Sequence, residues 1–131
     1  MDRQLPKGGW NYGNTKVYGQ ELHPAPESTG AALQALVGLV HEKEVKKSLE
    51  YLLTEVKQAY TPIALGWGLL GLDAWGWAPK GSEALVYQVL DQQARYGEYD
   101  TSSLALLLLP LVASGGLLNT DEHRRPMKQP A

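Results

Sequence analysis

Two kinds of apolar segment alternate along this chain, and that alternation limits the folds open to it. From Ser28 or Thr29 to Val40, the residues Ala31, Ala32, Leu33, Ala35, Leu36, Val37, Leu39 and Val40 leave no polar stripe on a helix. From about His41 to Lys57, Val45, Leu49, Leu52, Leu53 and Val56 form one stripe, and Glu42, Lys43, Lys46, Lys47, Glu50 and Lys57 fill the other face. The pattern then repeats. Ile63 to Trp75 is apolar all round, Ser82 to about Tyr96 has one wet side, and Leu104 to Leu109 is again wholly apolar. A helix without a polar face must be shielded on most sides, whereas one with a single stripe does the shielding. The expectation is therefore an all-α fold in which the first, third and fifth helices are more buried than the second and fourth.

The start and stop signals agree with these segments. Ser28 or Thr29 is expected to cap the first helix, and Thr61 the third, with Pro62 at the first helical position where its missing N–H costs nothing. Gly66, Gly68 and Gly71 each lower the helicity of the third segment by roughly 1 kcal/mol, so packing must compensate. Gly97 ends the fourth helix, and Asp100 or Thr101 caps the fifth. Pro110 should kink that helix, and Gly115-Gly116 should end it.

Before the first helix, Met1 to Lys7 reads as an arm, and Gly8 to Pro26 holds too many breakers for a helix. Trp10, Tyr12 and Tyr18 within it imply a long loop pinned to the helical body by its rings, or rings that line a binding site. Residues 1–119 are expected to form one domain, with 1–26 as arm and loop and 27–119 as helices. Residues 120–131 read as a polar tail.

A chain of 131 residues with 44% hydrophobic and 20% charged residues can bury a core without staples. Its net charge of −2 argues against a nucleic-acid backbone as partner. With no cysteine, disulfides, thiolate metal sites and cysteine nucleophiles are excluded. The first residues lack the apolar core of a secretory signal, and Leu104 to Val112 is too short for a membrane span of roughly 20 residues. The expected location is cytoplasmic.

The threonines at the apolar helix starts, Thr29, Thr61 and Thr101, are 32 and 40 residues apart, a period typical of stacked helical hairpins. The loop Gly-Gly-Trp-Asn-Tyr-Gly-Asn (8–14), the later Gln92 to Thr101 and the Thr-x-x-Ala-Leu starts resemble the repeats of terpene cyclases and protein prenyltransferases. The block Gln4 to Leu39 is similar to bacterial proteins with prenyltransferase or squalene-oxidase repeats. The resemblance implies an α/α toroid-like array of helical hairpins, here an incomplete arc that belongs to a larger protein or closes by association.

The chemistry of those families is not spelled out in the residues. The Asp-rich acid motif of the cyclases is missing, and Asp100 is best explained as a cap. The Asp, Cys and His zinc set of the prenyltransferases is missing too, since His23, His41 and His123 lie in separate segments. No cofactor is expected. Gly66-Trp67-Gly68-Leu69-Leu70-Gly71 matches the dinucleotide fingerprint, but a Thr-Pro helix start precedes it where a strand is required. Ser114 lacks a nucleophile-elbow spacing.

The residues therefore point to a noncatalytic or partial repeat segment that acts as a scaffold or as a module for an apolar, isoprenoid-like ligand. One alternative is a portion of a cyclase or prenyltransferase whose catalytic residues lie outside this chain, and another is a protein-binding helical array. Candidate ligand-lining residues are Trp10, Tyr12, Trp67, Trp75, Tyr99 and Asp100, with Trp67 and Trp75 more simply read as core. The fifth helix, with six leucines between Leu104 and Leu111, lacks cover within one chain, so homo-oligomerisation or association with further repeats is expected.

Overall fold

The computed structural model describes residues 1–13 and 15–113. Helices dominate: α1 (Pro26–Leu36), α2 (Glu42–Glu55), α3 (Pro62–Ala74), α4 (Ser82–Asp91), α5 (Gln93–Tyr96) and α6 (Thr101–Leu108), which passes into a 3-10 turn at Leu109–Leu111. The one sheet among the described residues is a small antiparallel hairpin, β1 (Lys16–Val17) with β2 (Gln20–Glu21), paired Lys16 to Glu21 and Val17 to Gln20. Its turn holds Tyr18 and Gly19, both at positive φ.

The expected all-α class stands, with local differences. Helix α1 starts at Pro26 and not at Ser28 or Thr29, because Pro26 occupies the first turn and the Thr29 hydroxyl is engaged by the preceding loop. It ends at Leu36 because Gly38, at φ 77, turns the chain toward α2. Thr61 caps α3 as expected, accepting from the Ala64 N–H. The fourth segment breaks at Gln92 into α4 and α5. Pro110 converts the end of the fifth into the 3-10 turn, and Gly115-Gly116 and the tail lie outside the described residues.

Helix α3 is the centre, and its three glycines face three different neighbours. A Cβ on Gly71 would lie 2.6 Å from the Gly30 Cα of α1, one on Gly66 would lie 2.6 Å from the Leu106 carbonyl of α6, and one on Gly68 would strike Val56 beyond the end of α2 at 2.5 Å. Glycine is required at the first two positions because the obstacle is backbone, which cannot rotate aside. A Cβ on Gly30 would itself collide with the Trp67 carbonyl, so α1 and α3 touch almost backbone to backbone. The order is thus α1, α3, α6 in a row. The pairing of Gly30 with Trp67 and of Leu33 with Trp75 shows that α1 and α3 run in the same direction.

Helices α2 and α4 close the core. Val45, Leu49, Leu52 and Val56, together with Val86 and Val89, pack on Leu65, Leu69 and Leu72 of α3 and on Leu33 and Leu107. The α2 stripe expected from periodicity is buried as expected, except that Leu53 is half-buried. The expected order of burial is corrected at one helix. Only Leu107 of α6 is fully buried, fewer than in α2, because α6 has α3 on one side and no described helix on the other.

Gly71→Ala should lower the unfolding free energy by about 1–3 kcal/mol, since overpacking here meets backbone. Gly68→Ala should cost less, because a Val56 methyl can move aside and alanine improves helicity by roughly 1 kcal/mol. Chemical denaturation of both variants checks the ranking; a stable Gly71→Ala protein would show that α1 does not seat on α3 as described.

Candidate functional site

The three glycine contacts also define the open side of α3. At about 100° per residue, Ile63 and Trp67 fall in the sector between the directions of α6 and α1, away from α2. Because Leu70 and Ala74 in the same sector are buried, only the first half of α3 is open there. Ile63 is 51% exposed and Trp67 half-buried. On α1 the neighbouring sector carries Ala31 and the exposed Ala35, and α6 adds the exposed Ala105. These five side chains include no charge. The result is an apolar strip across α1, α3 and α6, on the side of the row opposite the α2 and α4 cover.

Of the six candidate ligand-lining residues, Trp67 alone belongs to this strip. Trp75 is 3% exposed, and its indole N–H donates to the Leu33 carbonyl at 2.8 Å, so it is a core tie between α3 and α1. Trp10 is half-buried against the core, and its backbone N–H donates to Thr29 Oγ1 at 3.0 Å. Tyr12 is 80% exposed, and its hydroxyl donates to the Glu27 carboxylate. That bond, followed by partial burial, raises the Tyr12 phenol above its ordinary pKa. It also borders an open hollow of about 340 Å³ with Asn11, Gly13, Leu22 and His23.

Tyr99 packs against the core and donates its hydroxyl to the Val89 carbonyl at 2.8 Å, and burial raises its pKa. Asp100 caps α6, its carboxylate accepting the Ser103 N–H at 2.7 Å. That bond stabilises the ionised form and lowers the Asp100 pKa. Among the described residues no group of three or more His, Asp and Glu side chains could hold a metal ion, and no helix is long and apolar enough to cross a membrane.

The dinucleotide-like Gly66 to Gly71 run lies wholly inside α3, and its glycines serve helix contacts.

The polar residues that organise the region were less visible in the sequence. Met1 to Lys7 is docked, not a free arm: Leu5 is buried, and Gln4 Nε2 donates to the buried Ser48 Oγ at 2.6 Å. Ser48 also accepts the Gly9 N–H at 2.8 Å, while Thr29 both accepts from the Trp10 N–H and donates to the Trp10 carbonyl. The buried Gln34 donates to the Leu70 carbonyl at 2.5 Å, tying α1 to α3. Gln34 could have been found, as the lone polar side chain between Gly30 and Val40. Ser48 could not, because it sits at the border of the α2 stripe among ordinary surface residues.

No family model, curated protein or solved structure matches this chain.

Ser48→Ala leaves the Gly9 N–H and the Gln4 amide without their acceptor, which should cost about 1–3 kcal/mol. Hydrogen exchange at Gly9 should quicken more than at Leu69, and equal protection at both would refute the clamp. A second test concerns acid. The lowered Asp100 pKa contributes stability that is present above the unfolded-state value and lost as pH falls through the folded-state value. The Tm advantage of the wild type over Asp100→Asn should therefore shrink between about pH 5 and pH 2, from the ordinary aspartate range downward. An advantage independent of pH would mean that the carboxylate charge is not what α6 uses.

Proposed function

We propose that this chain is a noncatalytic module of helical-hairpin repeats that holds an apolar, isoprenoid-like ligand on the uncharged side of its α1–α3–α6 row. The observation that carries the reading is the exposure of Ile63 beside Trp67 on the most apolar helix of the protein, where burial would be the ordinary outcome. Supporting it is the layout of the row, with the apolar helices α1, α3 and α6 side by side and most of the helical charge on α2, as in the α/α toroid that the Gly-Trp loop resembles. An alkyl or polyprenyl chain laid along the strip would remove Ile63 and part of Trp67 from water. Burying an apolar side chain of this size is worth about 1.5–3 kcal/mol, so two such contacts, about 3–6 kcal/mol, suit weak binding in the millimolar to tens-of-micromolar range.

Within this reading Asp100 remains a helix cap and not an acid. Its pKa is lowered, the opposite of what a proton donor at neutral pH requires.

Titration with farnesol, followed by tryptophan emission, tests the proposal. Binding is expected to saturate, and Ile63→Asp should weaken it by at least about tenfold, since the substitution places a charge in the strip at an exposed position that does not threaten folding. Trp67→Phe should bind with a smaller emission change. Incubation with farnesyl diphosphate should return it unaltered. Absence of saturable binding by the folded wild type, or unchanged binding by Ile63→Asp, would overturn the reading.

A further inference from the structure

The loop before α1 frames an open hollow that is distinct from both the core and the strip on α3. Segments 11–13 and 22–23 form its walls, and the space between them measures about 340 Å³. Hydrogen bonds hold the walls together at both ends. The Ala25 N–H donates to the Trp10 carbonyl at 2.9 Å, and the Leu22 N–H to the Thr15 carbonyl at 3.1 Å. The space is therefore built before any ligand arrives, and it lies at the lower end of the roughly 300–1,000 Å³ of small-molecule sites.

The lining selects among ligands. Tyr12 is 80% exposed, yet its hydroxyl is tied to the Glu27 carboxylate, so the ring stands fixed at the rim with most of its area uncovered. The Asn11 amide is only half engaged. Its Oδ1 accepts the Gly13 N–H at 3.1 Å, while Nδ2 is shut off from water and has no hydrogen-bond partner among the described residues. The Gly13 bond fixes which end of the amide is which, because turning it over would set a donor against a donor. Leu22 is half-buried and His23 exposed, and among the described residues no carboxylate, ammonium or guanidinium lines the hollow.

We propose that this hollow binds one N-acetylated amino-sugar unit, its ring stacked on Tyr12 and its acetamido carbonyl accepting from Asn11 Nδ2. A pyranose presents a face of C–H groups, whose partial positive charge suits the negative face of an aromatic ring. An amide carbonyl accepts without bringing a donor of its own, which is what a buried, unpaired N–H requires. The χ2 torsion of asparagine is broad, so a small swing that keeps the Gly13 bond turns Nδ2 toward the hollow. The acetamido methyl suits Leu22, and the His23 imidazole can donate to or accept from the sugar's remaining polar groups.

Other ligands of similar size leave part of the lining unanswered. A cation would sit over the Tyr12 ring beside Glu27 but gives Asn11 no acceptor. A purine is read by both edges of an asparagine amide, and here one edge is already taken by Gly13. An alkyl chain would leave the Asn11 donor buried and unpaired.

An amide NMR titration with N-acetylglucosamine up to about 50 mM tests the site, since a single sugar in an open hollow should bind in the millimolar range. Saturable shifts are expected at Gly13 and Leu22 and not at Leu69. Glucose, which lacks the acetamido group, should bind at least about tenfold more weakly. Tyr12→Ala, at an exposed position, should abolish saturable binding while keeping the folded spectrum. Asn11→Asp keeps an acceptor for the Gly13 N–H but removes the donor, and should weaken binding at least about tenfold. The proposal is overturned by a wild type without saturable shifts or by unchanged affinity in either variant. Glucose or adenosine binding as tightly as N-acetylglucosamine also overturns it. Tyr12 lies outside the apolar strip, so farnesol binding should persist in Tyr12→Ala, which keeps this test separate from that of the strip.

Discussion

The close approach of backbones at α3 is the constraint from which the rest of the structure follows. Gly71 against Gly30 and Gly66 against Leu106 bring α1 and α6 nearer to α3 than any side chain would permit. Each glycine costs the isolated helix roughly 1 kcal/mol of propensity, so α3 is helical only because it is packed. What offsets the cost is burial: Leu65, Leu69, Leu70 and Leu72 are all but inaccessible to water. The same closeness leaves little room between the helices of the row, which pushes the larger side chains toward α2 and α4 on one side. On the other side it leaves Ile63 and Trp67 without a described cover.

A second layer of order comes from buried polar groups that bind backbone. Gln34, Trp75, Thr29 and Ser48 each engage a main-chain or loop group that would otherwise be stranded away from water. Leaving such a group unpaired costs about 1–3 kcal/mol, more than one hydrogen bond gains, so these residues act chiefly by forbidding alternatives. Thr29 and Ser48 hold the N-terminal loop against α1 and α2, and Tyr51 adds a bond to the Pro24 carbonyl at 2.9 Å. Burial raises the pKa of the Tyr51 phenol, which therefore stays a neutral donor over the ordinary pH range. The loop is thus part of the core's edge and not an appendage.

The candidate residues divide along the same line. Trp10, Trp75 and Tyr99 spend their polar atoms on the fold: each ties a loop or a helix end to a neighbour. Asp100 spends its carboxylate on the first turn of α6. Trp67 is the exception. It stands half-buried on α3, next to an isoleucine that is 51% exposed. An aromatic residue at that place has apolar area left over after folding.

Read alone, the residues determined the kind of structure and much of its wiring. The alternation of stripe-bearing and stripe-free segments specified helices and identified α2 as a one-sided cover, because a 3.6-residue period reports which face must leave water. Thr61-Pro62 and Asp100 announced their caps, since capping is local chemistry. The role of Thr29 was misread because its hydroxyl is claimed by Trp10, nineteen residues earlier, and no local rule registers a partner at that distance. The burial of α6 was misread for a related reason. An apolar composition states how much surface would gain from cover, but only the order α1, α3, α6 decided that the leucine edge has no described neighbour. That Trp75 is buried while Trp67 on the same helix keeps some exposure was likewise a tertiary outcome. It depends on the angle between two glycine contacts on α3, which the chain sets only once the helices have met.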